Sequence, residues 1–319
     1  MTPRYFRLLA RHFGVTPELR AELLAGTGVN DRDLDDHSHT VTLGQQRILN
    51  ANLDRVIGEH WVVSAPDLWA PSTLGALGVA YQTAPDLKTV LEVLVTRGRI
   101  SGPSWTYRLR SDAEFTTLVF QADPAMTARN RQLCLEMGFI AFRHTIGLQL
   151  GRTPTALRFR FAAPIPAYAG EIRAVLGEVE FSAPEDAVVF PTSWLSTRAP
   201  LHDPVAFRLA MSQVDAEYAA LNRSVPIVAR VEDMLRFSNG RLTLPAVASQ
   251  LGVSERTLVR RLQQAGVTFR ELVDAEQRRR AEALISAGDA KMANVAEQLG
   301  YSDPSSFARA RRRWAKAEA

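Results

Sequence analysis

The segment TLPAVASQLGVSERTLVRRLQQ, residues 243–264, reads as helix, tight turn, helix. Val247, Ala248 and Leu251 share one face of the first helix, and Gly252 stands where a left-handed turn residue is needed to end it. Ser254 is placed to cap the second helix. In that helix Leu258, Leu262 and Ala265 recur at i, i+4 and i+7, while Arg256, Arg260 and Gln263 recur at the same spacing on another face. One face packs and the other presents guanidinium groups. Such a helix suits a DNA major groove, where arginine reaches guanine edges or phosphates. For a single helix taken alone, a solvated basic face explains the pattern equally well.

The sequence downstream weighs against that alternative. Thr268 to Ala287 reads as one long helix, spanning roughly 30 Å at about 1.5 Å per residue. The motif then returns. Residues 247–254, VASQLGVS, match residues 295–302, VAEQLGYS, at six of eight positions. Asp303 follows as an N-cap with Pro304 at the first helical position, and Ser305 to Lys316 reads as a second helix. Phe307 and Trp314 are its apolar anchors, and Arg309, Arg312 and Arg313 project elsewhere. Two helix-turn-helix units joined by such a helix fit the ~34 Å between successive major-groove faces of B-DNA. A solvated face would have to arise twice in one arrangement.

Charge points the same way. The formal net charge is +4, but residues 226–319 hold 16 Lys+Arg against 11 Asp+Glu, so the excess lies in the last third and favours a polyanionic partner. A single cysteine, Cys134, allows no internal disulfide and no multi-thiolate zinc site. The N-terminus lacks a signal-type apolar core, and no run approaches the ~20 apolar residues that span a bilayer. The expectation is a cytoplasmic protein without membrane contact and without a cofactor.

With 319 residues, two domains are expected. Arg4–Phe13, Pro17–Ala25 and Val41–Gly58 read as helices, and Asn30–Thr40 as a polar loop. His37 and His39 within that loop lack the further ligands a metal site needs. Thr73–Ala84, TLGALGVAYQTA, reads as a buried strand closely approached by another backbone; it lacks the Gly-Lys-Ser/Thr ending of a phosphate loop. A helix follows from Pro85 to about Gly98, then a hairpin of Trp105–Arg110 and Phe115–Ala122. Ala125–Leu150 is a long helix with Leu133, Met137, Ile140 and His144 near one face; His144 reads as a packed or partly exposed helix histidine rather than a ligand. Ala156–Ala162 reads as a strand, Ala167–Leu176 as a helix, and Val179–Ser182 with Ala187–Phe190 as a second hairpin. This order predicts an α+β domain over 1–202 with a mainly antiparallel sheet. A helix from Asp203 and a hinge at Leu221–Pro226 make 203–224 a connector, carrying contacts to a second copy or simply joining domains. An all-α domain over 225–319 opens with Ile227–Phe237, stopped by Ser238-Asn239-Gly240, and carries the helix-turn-helix units at about 243–264 and 291–314.

The last third resembles the AraC/XylS family of bacterial transcription regulators. The residues that carry the likeness are Val247-Ala248, Leu251-Gly252, Ser254, Thr257-Leu258, Arg260-Arg261-Leu262, Phe269, Arg279, Ala281, Val295-Ala296, Leu299 to Asp303, Ser306-Phe307, Arg309-Ala310 and Trp314. The resemblance implies double-stranded DNA as partner. Base readout falls on Arg256, Thr257, Val259 and Arg260, and further base or backbone contacts on Pro304, Ser305 and Arg309. Arg311 stands where the family usually has a large apolar residue, and the chain ends at Ala319 where the family continues into a Gly-x-x-Pro turn. Both departures place more of the expected readout on the first unit. The N-terminal stretches LGALGVAYQTAPDLKTVLEVL, TALRFRFAAPIP and VEFSAPEDAVVFPTSWLSTRAPLHD more loosely resemble the arabinose-binding-like domain of one branch of the family. That likeness implies a small-molecule effector, a homodimer and, for a regulator of this kind, a contact to RNA polymerase; it identifies no pocket residues.

Two other classes are alternatives. An architectural protein binding nucleic acid with weak specificity would share the basic face. An enzyme fused to a DNA-binding module would need a nucleophile elbow, a zinc pattern or a phosphate loop, and none is present. Alkyl-group transfer would need several cysteines, whereas Cys134 stands alone between Leu133 and Leu135.

Overall fold

The computed structural model describes residues 4–36, 41–100, 105–122, 126–224, 227–237, 242–251, 253–286, 296 and 304–316. The chain divides into two compact units, Met1–Ala219 and Ala220–Ala319.

In the first unit α1 (Arg4–Phe13), α2 (Pro17–Leu24) and α4 (Leu43–Val56) lie where the sequence places them. The supposed loop after α2 contains a short helix, α3 (Asp31–Asp35), which starts at a reciprocal cap between Asn30 and Asp33. His37 and His39 lie outside the described residues. A short helix α5 (Trp61–Ser64) and two 3-10 turns (Pro66–Trp69 and Pro71–Leu74) follow, in a segment where no element was expected.

Thr73–Ala84 is not a strand. It folds as the end of the second turn and a helix, α6 (Ala76–Thr83). The close backbone approach is nevertheless present. A Cβ built on Gly78 would lie 1.7 Å from the Pro71 carbonyl oxygen, so the glycine lets α6 seat directly on the preceding turn. Helix α7 (Leu87–Arg97) begins at Asp86, whose carboxylate accepts from Thr89 N at 2.8 Å.

Strands β1 (Trp105–Ser111) and β2 (Phe115–Ala122) form the expected hairpin, in register from Trp105↔Ala122 to Ser111↔Thr116. After α8 (Ala128–Leu150) come β3 (Arg158–Arg160), α9 (Ala169–Leu176), β4 (Glu178–Glu180) and β5 (Ala187–Pro191). The sheet order is β1-β2-β5-β3-β4. The second expected hairpin is absent: β5 inserts between β2 and β3, antiparallel to both, and β4 pairs parallel with β3 at the edge. Three of the four pairings are antiparallel, as expected.

Helix α8 lies on this sheet through Phe139, whose ring is 5.0 Å from that of Phe120 on β2, 5.3 Å from Phe159 on β3 and 4.8 Å from Phe161. A polar tie reinforces the seat. The buried Asp186 carboxylate pairs with Arg131 of α8 and accepts from Ala162 N at 2.7 Å. Helix α10 (Pro204–Ser224) closes the unit and runs on through Leu221–Ser224, so those four residues are helical where a hinge was expected; residues 225 and 226 lie outside the description.

The second unit is helical: α11 (Ile227–Phe237), α12 (Leu244–Gln250), α13 (Glu255–Gln264), α14 (Phe269–Ser286) and α15 (Pro304–Lys316). Val231, Leu235, Val247, Ala248, Leu258, Leu262 and Leu272 form one buried cluster. Ala281, Ala296, Phe307, Ala310 and Trp314 form another. Helix α14 contributes Leu272 to the first and Ala281 to the second. The Trp314 indole donates to Asp274 on α14 at 3.4 Å. Gly252, Ser238 to Gly240, and residues 297–303 of the repeat lie outside the described residues.

Candidate DNA-facing helix and internal cavity

Helix α13 starts where Ser254 predicts it. Ser254 has extended backbone angles, and its hydroxyl accepts from Thr257 N at 3.2 Å. Leu258 and Leu262 are fully buried, whereas Arg256, Arg260 and Gln263 are exposed. Neither Arg256 nor Arg260 makes an ion pair among the described residues, so both guanidinium groups keep all their donors for a partner. Val259 is half-buried. Thr257 is half-buried too, and its hydroxyl lies 2.8 Å from that of Ser254, so it is engaged at the helix start. Ala265 does not continue the apolar stripe. It is exposed and ends the helix as C-cap, because Gly266 turns the chain at a φ of 78°.

On α15 Phe307 and Trp314 are buried with their rings 6.0 Å apart, as the anchor reading requires. Arg309 is exposed and donates to Ser306 Oγ at 2.8 Å. Pro304 and Ser305 open the helix; their side chains, with those of Arg312 and Arg313, lie outside the description. Arg311 is exposed, so the arginine at that position displaces nothing from the buried cluster.

The first unit holds a cavity of about 160 Å³ that sequence reading did not find. Its walls come from α1 (Tyr5, Leu9), α4 (Gln46, Asn50), the turns (Trp69, Leu74), α6 (Tyr81), α7 (Val90, Leu94) and the hairpin (Trp105, Tyr107, Phe120). Its floor is α8, through Cys134, Met137, Gly138, Ala141, Phe142 and Thr145. Cys134, Gly138, Ala141 and Thr145 recur at i, i+4, i+7 and i+11, a stripe of small side chains that the sequence displays. Sequence reading instead followed the adjacent stripe of Leu133, Met137, Ile140 and His144. His144 does pack, with Nε2 at 3.3 Å from the Pro66 carbonyl oxygen.

Among the described residues no lining side chain is a carboxylate, guanidinium, ammonium or imidazole. Burial raises the phenols of Tyr81 and Tyr107 above their ordinary range and raises the Cys134 thiol, with a smaller opposing pull from the Trp105 indole. All three groups are neutral at pH 7. Two polar groups of the wall, the Tyr81 hydroxyl and the Trp105 Nε1–H, are buried without a hydrogen-bond partner of normal geometry among the described residues. Among those residues no group of three or more His, Cys, Asp or Glu is placed to hold a metal, and no helix is long and apolar enough to cross a membrane.

Comparison with known proteins follows the same division. Residues 20–199 match the family described as the arabinose-binding domain of AraC transcription regulators, and residues 247–317 match a helix-turn-helix domain family. The ornithine utilization regulator of Pseudomonas aeruginosa is 26% identical over 265 residues, covering 82% of this chain and 75% of that protein. The transcriptional regulator VirS of Mycobacterium tuberculosis is 31% identical over 114 residues, covering 35% of this chain and 33% of its own. The crystal structure of the transcriptional regulator CdpR from Pseudomonas aeruginosa superposes with a TM-score of 0.50 at 21% identity, covering 98% of this chain and 95% of that one, a likeness of fold. With one family spanning the cavity-bearing unit and the other the helix whose arginines face outward, the chain belongs to the AraC transcription regulators with an arabinose-binding-type N-terminal domain and is a DNA-binding helix-turn-helix transcription regulator.

Proposed function

We propose that this regulator reads its operator with two helix-turn-helix units joined by α14, and that a small molecule bound in the N-terminal cavity changes how well it does so. The observation that carries the DNA reading is the division of α13, with Leu258 and Leu262 wholly buried and Arg256 and Arg260 exposed and unpaired among the described residues. Arg256, Val259 and Arg260 face the bases, and Thr257, engaged with Ser254, sets the start of the helix at the groove. Pro304, Ser305 and Arg309 on α15 supply base or backbone contacts from the second unit. That α14 contributes to both buried clusters supports the two-unit arrangement, and its 18 residues span about 27 Å, near the ~34 Å of one duplex turn.

The regulator acts as a homodimer, a reading supported by the exposed apolar residues Val205 and Leu209, four apart at the start of α10, and Leu201 in the turn before it. A contact to RNA polymerase completes the proposal. The effector acts by linkage: it shifts operator occupancy to the extent that it binds two conformations unequally. Arabinose does not follow from the family's description. One relative is named for ornithine utilization, but an amino acid with two ammonium groups and a carboxylate would meet no charged side chain among the described residues that line this cavity.

The test is operator binding by Arg260→Ala at fixed salt. The expected loss is about 1–3 kcal/mol, together with relaxed discrimination at one base pair. Equal affinity and equal selectivity for operator and random duplex would overturn the assignment.

A further inference from the structure

The cavity's chemistry narrows what it can hold. An engineered cavity of about 150 Å³ accommodates benzene, so a cavity of about 160 Å³ matches a single ring with a small substituent. A charged ligand would be desolvated there without a counter-charge. A polyol would need a partner for each hydroxyl, yet the Gln46 amide donates to Asn50 Oδ1 at 2.9 Å and the Thr145 hydroxyl to the Ala141 carbonyl at 2.8 Å, so these two donors are already engaged. By contrast Tyr81 and Trp105, each more than nine-tenths buried, line the cavity with a hydroxyl and an indole N–H that have no hydrogen-bond partner of normal geometry among the described residues, the indole leaning only on the Cys134 thiol. A buried donor left unmade is costly, and a bound acceptor removes that cost. The small stripe on α8 supplies the missing volume. At Gly138 a Cβ would meet only the Phe120 ring, at 3.4 Å, so the glycine's packing requirement is slight and its consequence is space.

We propose that this cavity takes a neutral, single-ring-sized ligand bearing one hydrogen-bond acceptor, held by the Trp105 Nε1–H and the Tyr81 hydroxyl over the floor made by Gly138 and Ala141. This rests on the reading of the N-terminal unit as effector-binding and specifies the effector's class. A neutral aromatic ketone or amide fits. Its ring packs among the aromatic walls, and its carbonyl oxygen accepts from the two orphan donors.

The test uses the full chain, with acetophenone and benzamide as probes and benzoate, benzylamine and D-xylose as comparators, titrated by calorimetry at pH 7. The neutral aromatic probes are expected to bind at least about tenfold more tightly than either charged compound or the sugar. Trp105→Phe and Tyr81→Phe are each expected to weaken benzamide by about fivefold to tenfold; Tyr81→Phe, which keeps the ring and removes only an unsatisfied hydroxyl, is expected to leave the unliganded protein as stable as before, whereas Trp105→Phe also removes packed volume and is expected to cost some stability. Ala141→Leu, which fills the floor, is expected to abolish binding; Gly138→Ala is the milder variant should the leucine impair folding, and it is expected to weaken binding with folding intact. Preferential binding of benzoate, benzylamine or xylose, blocked by Ala141→Leu, would overturn the ligand class and leave the effector site standing. Benzamide binding that neither floor variant alters would overturn the location. Absence of any binding at millimolar probe would overturn the inference. Binding as expected with no change in operator affinity would count against the effector reading and leave the ligand class intact.

Discussion

Glu136 offers a test of the N-terminal core that depends on neither DNA nor ligand. It is completely buried on α8. Its Oε1 accepts from the Gln132 amide at 2.7 Å and from the Tyr168 hydroxyl at 2.8 Å, while Oε2 has no hydrogen-bond partner among the described residues. Tyr168 in turn accepts from Arg129 at 2.9 Å, and Arg129 donates through Nε to Asp54 at 2.9 Å. Burial pushes the Glu136 carboxyl from 4.5 up to about 7, against the pull of Gln132, Tyr168 and Arg129 and with a small push from Asp54. In the unfolded chain the group titrates at its ordinary value. Below pH 4.5 both states hold the proton and nothing changes; between 4.5 and about 7 the native state alone keeps it, so stability falls as the pH rises; above about 7 both states are ionised and the cost is complete. The cost accumulates to about 3 kcal/mol. Glu136→Gln keeps an oxygen acceptor for Tyr168 and removes the titration. Urea unfolding of both proteins across this range, at constant ionic strength, is expected to show the variant gaining on the parent by about 3 kcal/mol as the pH rises from below 4.5 to above 7. Parallel stability curves would refute the burial argument. A parent that gains on the variant instead would mean that Arg129 stabilises the carboxylate more than burial penalises it.

Two further substitutions separate glycines kept for contact from glycines kept for space. Gly78→Ala places a methyl group 1.7 Å from the Pro71 carbonyl oxygen, which cannot move without shifting the turn; a loss of about 3 kcal/mol or more is expected in urea unfolding, and a neutral result would show that α6 does not rest on the turn as described. Gly138→Ala adds a Cβ whose nearest neighbour is Phe120 at 3.4 Å in the middle of a 23-residue helix, so a gain of about 1 kcal/mol is expected from helix propensity. A clear loss of stability in the same assay would mean that the floor of the cavity is already closed.

What the sequence made legible, and what it hid, follows from how local each signal is. Helix α13 was readable because its cap and its two faces lie within ten residues: Ser254 starts it, Leu258 and Leu262 are buried, and Arg256 and Arg260 are exposed. Even there the period alone overran the end, since Ala265 fits the stripe but Gly266 had already turned the chain. Helix α6 was misread because Leu77, Gly78, Ala80 and Tyr81 are buried while Val79, on the exposed side, is itself apolar, so the run carries no polar residue among them to reveal its period. The place of β5 between β2 and β3 depends on pairing over some seventy residues, which no neighbouring residue encodes. The cavity combines both cases. Its floor is a local pattern, with Cys134, Gly138, Ala141 and Thr145 on one face of α8, and could have been found by asking where a long helix is consistently small. Its walls come from α1, α4, α6, α7 and the β1–β2 hairpin, which only the folded chain brings together. Small residues on a helix mark either a tightly packed neighbour or a space; the 3.4 Å to Phe120 and the unsatisfied donors of Tyr81 and Trp105 decide for space. Helix α13 was therefore legible as chemistry from a single segment, whereas the cavity was legible only as an absence of bulk, whose meaning depended on residues up to 140 positions away.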